Sequence, residues 1–228
     1  MEIIYEDNHI IAVNKAVSDI VQGDKSGDIP LSEKVKEYIK KKYRKPGAVY
    51  LGIPHRIDRP VSGVVIFART SKALERLNRM FQEEGKEIRK IYWAITAELP
   101  PKEQDTLTHY LVRDTAKNKS FAYNNPKGAA KKAVLDYRVV GHSDKYFFIE
   151  IKLHTGRHHQ IRCQLAKIGC PIKGDLKYGF PRSNENGGIS LHARSISFIH
   201  PVSRQPITIT ADIPPKDNLW KLFEESQA

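Results

Sequence analysis

Residues 55–68 read HRIDRPVSGVVIFA and join a charged segment directly to an apolar one. The apolar half, residues 64–68, has the length and the β-branched content of a buried strand. Pro60 and Gly63 predict a bend just before that strand. The sequence therefore predicts a charged loop at the start of a buried strand.

Asp58 is the only carboxylate between residues 38 and 74. Two neighbouring guanidinium groups, Arg56 and Arg59, should favour its charged form. An ionised carboxylate in basic surroundings can act as a nucleophile or a base on a polyanionic substrate. An Arg-Asp-Arg cluster can equally be an ion pair that fixes a turn. This segment alone supports both interpretations.

The composition predicts a folded protein with a polyanionic partner. The chain has 228 residues, of which 40% are hydrophobic, and a formal net charge of +12. Such a charge favours nucleic acid as the partner first and an anionic membrane surface second. No signal peptide and no apolar run of the ~20 residues that span a bilayer are found, so we expect a cytosolic protein. Cys163 and Cys170 lack the spacing and partners of a disulfide framework or a zinc site, so we expect no metal.

The pattern of elements predicts an α+β fold with a mixed, largely antiparallel central sheet flanked by helices and loops. The predicted strands are 3–5, 10–15, 64–68, 91–96, 133–140, 146–153, 189–199 and 207–211. The first predicted helix covers residues 31–43. The second is capped by Ser71, has an inner stripe of Leu74, Leu77 and Phe81, and ends at Gly85. The third contains Ile161, Leu165 and Ile168 and is closed by Gly169 and Pro171. We expect one catalytic domain over residues 1–228, with the Lys-rich segment 117–132 as a mobile loop.

A second charged segment reads HTGRHHQIR at residues 154–162. Asp175 is the one acid between residues 151 and 184, against seven cations. Thr155 and Gly156 stand where a strand gives way to a helix N-terminus, which offers free N–H groups to a phosphate or carboxylate. Three histidines, 154, 158 and 159, lack an accompanying carboxylate or cysteine at metal-ligand spacing. Contact with phosphate, or a solvated helix face, explains this segment better than a metal site does.

Tyr92 lies in the strand-like segment RKIYWA at residues 89–94. On an extended strand its side chain faces away from those of Ile91 and Trp93. A tyrosine next to lysine and arginine suits stacking on a base while the cations hold phosphates. Ordinary core packing explains the local pattern equally well.

Five motifs in this order resemble the RluA-type RNA pseudouridine synthases. They are HRIDxxxSG at 55–63, KxYxA at 90–94, TGRxHQIR at 155–162, GxPIxGDxxYG at 169–179, and LHA at 191–193 followed by His200-Pro201. The resemblance extends from about residue 10 to residue 201 and implies an isomerase that needs no cofactor and no metal. Such an enzyme cleaves the uridine C1′–N1 bond, turns the freed base and rejoins it through C5. No segment resembles the S4 RNA-binding domain of many relatives, so we expect the charge of the catalytic domain itself to provide RNA affinity.

The resemblance also implies roles for individual residues. Asp58 matches the catalytic aspartate. The sequence does not distinguish whether this aspartate attacks the sugar as a nucleophile or removes a sugar proton. Tyr92 matches the tyrosine that stacks on the base, Arg162 the arginine that pairs with the aspartate, and Arg56 a residue that helps to extrude the base. Further RNA contacts are predicted at His55, Arg59, Arg157, His159, Gln160 and Lys173. Two positions depart from the family pattern. Val61 stands where the family usually has threonine, and His158 stands where threonine or serine is common.

The sequence therefore predicts a monomeric RNA pseudouridine synthase that acts on structured ribosomal or transfer RNA and does not bind a membrane. We expect RNA to contact the Lys40 region, the strip from Arg157 to Lys177 and the segment 117–132. A non-catalytic RNA-binding protein on a decayed enzyme fold is one alternative. A glycosidase is another, but such enzymes usually need a second carboxylate, for which Asp175 is the only candidate in the two charged segments.

Overall fold

One ten-stranded sheet organises residues 1–82, 87–215 and 217–227, which the computed structural model of the protein describes. The strands are β1 (Glu2–Glu6), β2 (Ile10–Lys15), β3 (Ser62–Ala68), β4 (Ile88–Thr96), β5 (Gln104–Asp114), β6 (Lys119–Tyr123), β7 (Lys131–His142), β8 (Phe147–Leu153), β9 (Leu191–Ile199) and β10 (Pro206–Thr210). The helices are α1 (Leu31–Lys42), α2 (Ser71–Gln82), α3 (Gln160–Lys167) and α4 (Asn218–Glu225). The predicted α+β class is confirmed.

The strand order is β1-β2-β3-β9-β4-β8-β7-β5-β6, and β10 pairs with β9 beside this path. Within the described residues β3 and β9 form the one parallel pair, and the other pairings are antiparallel. This arrangement confirms the prediction of a mixed, largely antiparallel sheet. Helices α1 and α3 pack on one face of the sheet, and α2 and α4 pack on the other.

Strand β3 is buried along its whole length because helices cover both of its faces. Val65 and Phe67 belong to the core that includes α1 and α3, whereas Val64 and Ile66 belong to the core that includes α2. A strand buried on both faces carries a continuous apolar run rather than an alternating one. This burial explains the VVIFA run that follows the charged loop.

The start of β3 places the charged loop beside β4. Gly63 pairs with Ala193 of β9, and Ala193 pairs on its other side with Tyr92 of β4. The Ser62 hydroxyl and His192 Nδ1 of β9 lie 2.8 Å apart and hold the same junction. The loop that carries Asp58 therefore enters the sheet two strands from Tyr92.

Three local expectations were wrong or lie outside the described residues. The segment 117–132 is not a loop throughout, because it contains β6 and the first residues of β7. The polar composition of this segment gives no sign that β6 pairs with β5. Strand β5 and helix α4 were not predicted either. Thr70 rather than Ser71 caps α2, since its hydroxyl oxygen accepts from the Ala73 N–H at 3.2 Å. The predicted stop at Gly85 falls outside the described residues.

We predict that Gly63→Ala lowers the free energy of unfolding by about 2–4 kcal/mol, the sum of a strained backbone and an overpacked contact. Gly63 has φ +113°, and a Cβ atom there would lie 2.3 Å from the carbonyl oxygen of Ala193. Urea denaturation measures the change. Gly47→Ala is the matched control, because a Cβ at Gly47 meets nothing within 4 Å. A Gly63→Ala protein as stable as the control would contradict the close approach of β3 and β9.

Candidate active site

Arg162, in the first turn of α3, joins two carboxylates from distant parts of the chain. Its Nε and Nη2 donate to the two oxygens of Asp175 at 2.7 and 2.9 Å, and its Nη1 donates to Asp58 Oδ2 at 3.0 Å. The Arg162 side chain is 5% exposed, that of Asp175 is 1% exposed, and that of Asp58 is 30% exposed. Burial would lower the pKa of Arg162, but the hydrogen bonds and charges of Asp175 and Asp58 raise it. The guanidinium is therefore permanently charged, and Asp58 is the member of the trio that solvent and substrate can reach.

Asp58 does not form its ion pair with either of the adjacent arginines, Arg56 and Arg59. Arg59 turns away and forms an ion pair with Asp28 at 2.6 Å. Arg56 is exposed at the rim of the cavity described below. Arg162, 104 positions away in sequence, provides the contact instead. The local Arg-Asp-Arg cluster is therefore not the ion pair that holds Asp58.

Lys15 anchors the loop that carries Asp58, although it was not among the predicted site residues. The side chain is fully buried, and Nζ donates to the carbonyl oxygens of Ala16, Asp19 and Arg59 at 2.8, 2.7 and 3.0 Å. Burial lowers the pKa of Lys15 to about 8, against the opposing charges of Asp19 and Asp58. Alternation along β2 was the available signal, because Lys15 falls on the same face as the buried Val13.

His159 approaches Asp58 from the other side of Arg162, with Nε2 3.5 Å from Asp58 Oδ2. Its Nδ1 lies 3.0 Å from the hydroxyl of Tyr178, and that hydroxyl accepts from the Ser120 N–H at 2.8 Å. Burial lowers the pKa of His159 to about 3, so the ring is neutral at pH 7. His159 therefore faces Asp58 as a neutral ring that the contact with Tyr178 holds in place.

A cavity of about 400 Å³ opens in front of Asp58 and is also lined by Tyr92, His55, Phe81 and Lys90. Burial, with a contribution from the Asp58 charge, raises the pKa of Tyr92, so its hydroxyl keeps its proton. His55 stacks on Phe81 with ring centroids 4.5 Å apart, and its Nε2 accepts from the Ile66 N–H at 2.9 Å. Burial and the nearby Lys90 lower the pKa of His55 to about 3. The cavity thus combines one carboxylate and several cations with the rings of Tyr92, His55 and Phe81, and such rings suit a flat heterocycle.

The remaining predicted contact residues lie in different surroundings. Arg157 lines the cavity, and its Nε donates to the carbonyl oxygen of Lys132 at 3.0 Å. Gln160 also lines it, but its side chain bonds to Thr155, to the Arg157 N–H and to a backbone carbonyl, and so folds the loop before α3. Lys173 lies elsewhere, donating to Asn184 Oδ1 at 2.7 Å. Gln160 therefore stabilises the loop before α3, and Lys173 lies outside the cavity.

We predict that acid destabilises the protein just below neutral pH. Burial lowers the pKa of His55 and His159 to about 3 and that of His192 to about 4, whereas unfolding restores about 6.5. The unfolded chain therefore binds more protons below about pH 6.5, and stability is lost as the pH falls through that value. From pH 7 to pH 6 each histidine costs about 0.7 kcal/mol, or roughly 2 kcal/mol together.

Urea denaturation at the two pH values tests this acid sensitivity. His142→Gln, at an exposed histidine, is the control and should keep the same pH dependence. Equal stability at pH 6 and pH 7 would show that the three rings are not neutral in the folded protein.

Two classes of site are not found in the part of the chain that the structure describes. No group of three or more His, Cys, Asp or Glu side chains is arranged to hold a metal ion there. Among the same residues, no helix is both long enough and apolar enough to cross a membrane.

The sequence and the fold resemble those of known pseudouridine synthases. Residues 9–167 match the RNA pseudouridylate synthase family. The chain is 30% identical to tRNA pseudouridine synthase C of Pectobacterium carotovorum subsp. carotovorum, over 92% of this chain and 58% of that protein. It is 32% identical to the ribosomal large subunit pseudouridine synthase C of Buchnera aphidicola, over 96% of this chain and 68% of that protein. The structure of human RNA pseudouridylate synthase domain containing 4 has the same fold, with a TM-score of 0.78 at 20% identity over 99% of this chain and 91% of that one.

The mixed sheet therefore has the fold of pseudouridylate synthase domains. This chain belongs to the RNA pseudouridylate synthase family, and it is of the RluA type. It spans little more than half the length of the Pectobacterium relative.

Proposed function

We infer that this protein isomerises uridine to pseudouridine in structured ribosomal or transfer RNA. The observation that carries this proposal is the position of Asp58. One of its oxygens is held by Arg162, and among the described residues no hydrogen bond reaches the other, Oδ1. Asp175 takes two of the three Arg162 contacts, so Asp58 is held in place without being enclosed. A charged carboxylate that is fixed and still accessible is suited to act on the sugar of a bound nucleotide.

The reaction needs a carboxylate, a base pocket and a way to extract the base. Asp58 either bonds to C1′ or removes a sugar proton, and in both routes the C1′–N1 bond breaks and its electron pair leaves with the base. The base turns within the cavity and C5 bonds to C1′, which breaks the Asp58–C1′ bond in the first route and is accompanied by return of the sugar proton from Asp58 in the second. The C5 proton is then released and N1 takes a proton. Tyr92 keeps its proton and offers a ring for stacking, while Arg56 at the rim is placed to replace the base in the RNA stack.

The substrate class follows from charge and from the relatives. A net charge of +12 suits the phosphate backbone. One relative is named for transfer RNA and another for the large ribosomal subunit, so both substrates belong to the proposal. We propose that the reaction takes place in the cytosol and needs no cofactor. We further propose that the enzyme acts as a monomer with one catalytic domain over residues 1–228. The two buried, unpaired cysteines fit a reducing compartment.

The glycosidase alternative loses support from the position of Asp175. That carboxylate is buried and held by two hydrogen bonds from Arg162, and it does not line the cavity in front of Asp58. A second carboxylate flanking a glycosidic bond is therefore missing from the described lining of this cavity. A non-catalytic RNA-binding protein would not need an accessible Asp58 next to Tyr92.

The direct test is conversion of uridine in unmodified ribosomal and transfer RNA transcripts. The transcripts are incubated with the protein, and pseudouridine is mapped at single-nucleotide resolution alongside a measurement of free uracil. Pseudouridine at discrete positions, without free uracil, is the expected result. Free uracil with abasic sites would support the glycosidase, and unchanged RNA that still binds the protein would support the non-catalytic alternative.

A further inference from the structure

A second cavity, of about 390 Å³, adjoins the first across the catalytic loop. The two cavities share Arg56, Ile57, Asp58, His159 and Arg162. The rest of the second cavity comes from residues 20–24, from the β5–β6 hairpin and from the 3₁₀ turn Leu176–Tyr178. Its volume is within the range of pockets that hold small ligands. An RNA strand that places one nucleotide in the first cavity can therefore place a neighbouring nucleotide in the second cavity.

Cations outnumber carboxylates in the lining of the second cavity, where Asp24 and Asp58 face five basic side chains: Arg56, Arg59, Arg113, Arg162 and Lys177. Arg56, Arg113 and Lys177 line it, and none of the three forms an ion pair with a described carboxylate. Arg113 has one long contact, 3.5 Å to Asn118 Oδ1, and Lys177 donates to the carbonyl oxygens of Lys117 and Asn118 at 3.5 and 3.1 Å. Carbonyl oxygens orient an ammonium group but do not cancel its charge. A concave site in which cations outnumber carboxylates attracts an anion.

The same contacts hold the cavity in shape. Asn118 is the last residue of the β5–β6 turn, and its Oδ1 lies 3.2 Å from His158 Nε2. His158 also contacts Ser120 of β6 through Nδ1 at 2.9 Å and stacks on His159 with ring centroids 3.8 Å apart. The hairpin is thus tied to a residue that faces Asp58. The departure from threonine or serine at position 158 has a structural consequence, because a shorter side chain could not stack in this way.

We propose that the second cavity binds the nucleotide next to the target uridine in the same RNA strand. Its phosphate contacts Arg56, Arg113 and Lys177, and its sugar and base lie against the apolar side chains of Ile20, Val21 and Pro60. Binding there would hold the strand in an unstacked form on both sides of the catalytic loop, which lowers the cost of extracting the uridine. The proposal rests on the proposed function, since it requires the uridine in the first cavity.

The test compares two double variants that each remove two positive charges. Arg113→Gln/Lys177→Gln empties the second cavity of two cations. Arg138→Gln/Lys152→Gln is the control, because those side chains alternate with the buried Tyr137 and Ile151 and so lie on the other face of the sheet. The probe is a fluorescent pentauridylate, and its binding to the full chain is measured by anisotropy across a salt series. A second pentauridylate with uncharged methylphosphonate linkages tests whether phosphate is recognised.

We expect the cavity variant to bind the normal pentauridylate about tenfold more weakly, which corresponds to about 1.4 kcal/mol. Its slope of log affinity against log salt should fall by about 1.4, as for two lost phosphate contacts on a single strand. The control should change affinity less than about threefold, and the uncharged oligomer should not distinguish the two variants. Equal losses in both variants, or no binding by the unsubstituted protein, would overturn the proposal. Pseudouridine mapping with the unsubstituted protein tests the proposed function separately, so the two failures are distinguishable.

Discussion

Replacing Asp58 with asparagine is expected to lower the rate of pseudouridine formation by about 10³-fold or more, equivalent to about 4 kcal/mol of transition-state stabilisation. Asparagine has the same shape but is neither a nucleophile nor a base at the sugar. Its amide oxygen can still accept from Arg162 Nη1, and Arg162 keeps both of its bonds to Asp175. Folding and RNA binding should therefore change little. The rate is measured under single-turnover conditions on a transcript that the unsubstituted protein modifies.

The control for this variant is Asp105→Asn, which makes the same chemical change at a surface carboxylate paired with Lys102 at 3.0 Å. It should retain the full rate within a factor of about two, as expected for an exposed ion pair. Salt-dependent RNA binding and thermal unfolding are compared for both variants. An Asp58→Asn protein within tenfold of the normal rate would show that another group cleaves the glycosidic bond.

Arg162→Met should lower the free energy of unfolding by about 3–5 kcal/mol and abolish activity, because it leaves a buried carboxylate without its counter-charge. Asp175 is 1% exposed and takes two hydrogen bonds from Arg162. Lysine should not rescue the site, since one ammonium cannot reproduce the planar fork that serves two carboxylates. Denaturant unfolding and the single-turnover rate are both measured.

A second substitution separates the structural role of Arg162 from its catalytic role. Asp175→Asn in the Arg162→Met background removes the unpaired buried charge and should restore part of the lost stability. It should not restore activity, because Asp58 still lacks the contact that holds it. Arg138→Met is the matched control, as its pair with Glu150 is exposed and should be worth less than about 1 kcal/mol. Recovery of activity together with stability would mean that Arg162 acts on the fold alone.

Much of the fold could be predicted from the sequence because burial leaves local patterns. The β1–β2 hairpin, β3, β4, β7, β8, α1 and α3 were all predicted within a few residues of their observed bounds. Strands β5 and β6 were missed because the β6 segment lies in a polar, Lys-rich stretch, and its stability comes from pairing with β5 rather than from its own apolar pattern. Helix α4 was missed because its signal is two buried aromatics, Trp220 and Phe223, which pack against Trp93 and Phe148 from distant strands.

The site could be predicted in its residues but not in all of its contacts. Asp58, Tyr92 and Arg162 were singled out by motif order, and the structure brings them to one cavity. Lys15, Tyr178 and Ser120 were not singled out, although they hold the catalytic loop and fix the ring of His159. Alternation along β2 and the motif at 169–179 mark Lys15 and Tyr178 but do not show their partners, because each of the three residues acts on a residue from another element.

The sequence by itself determined the fold class, the buried strand behind the charged loop and the identity of the accessible carboxylate. Periodicity, turn residues and motif order depend on neighbours along the chain, so they can be read without coordinates. Only the tertiary structure decided that Arg59 pairs with Asp28, that Arg162 holds both Asp58 and Asp175, and that Arg113 and Lys177 converge on a second cavity. The reason is that charge–charge energy depends on distance through space and on burial, and neither quantity is set by separation along the chain.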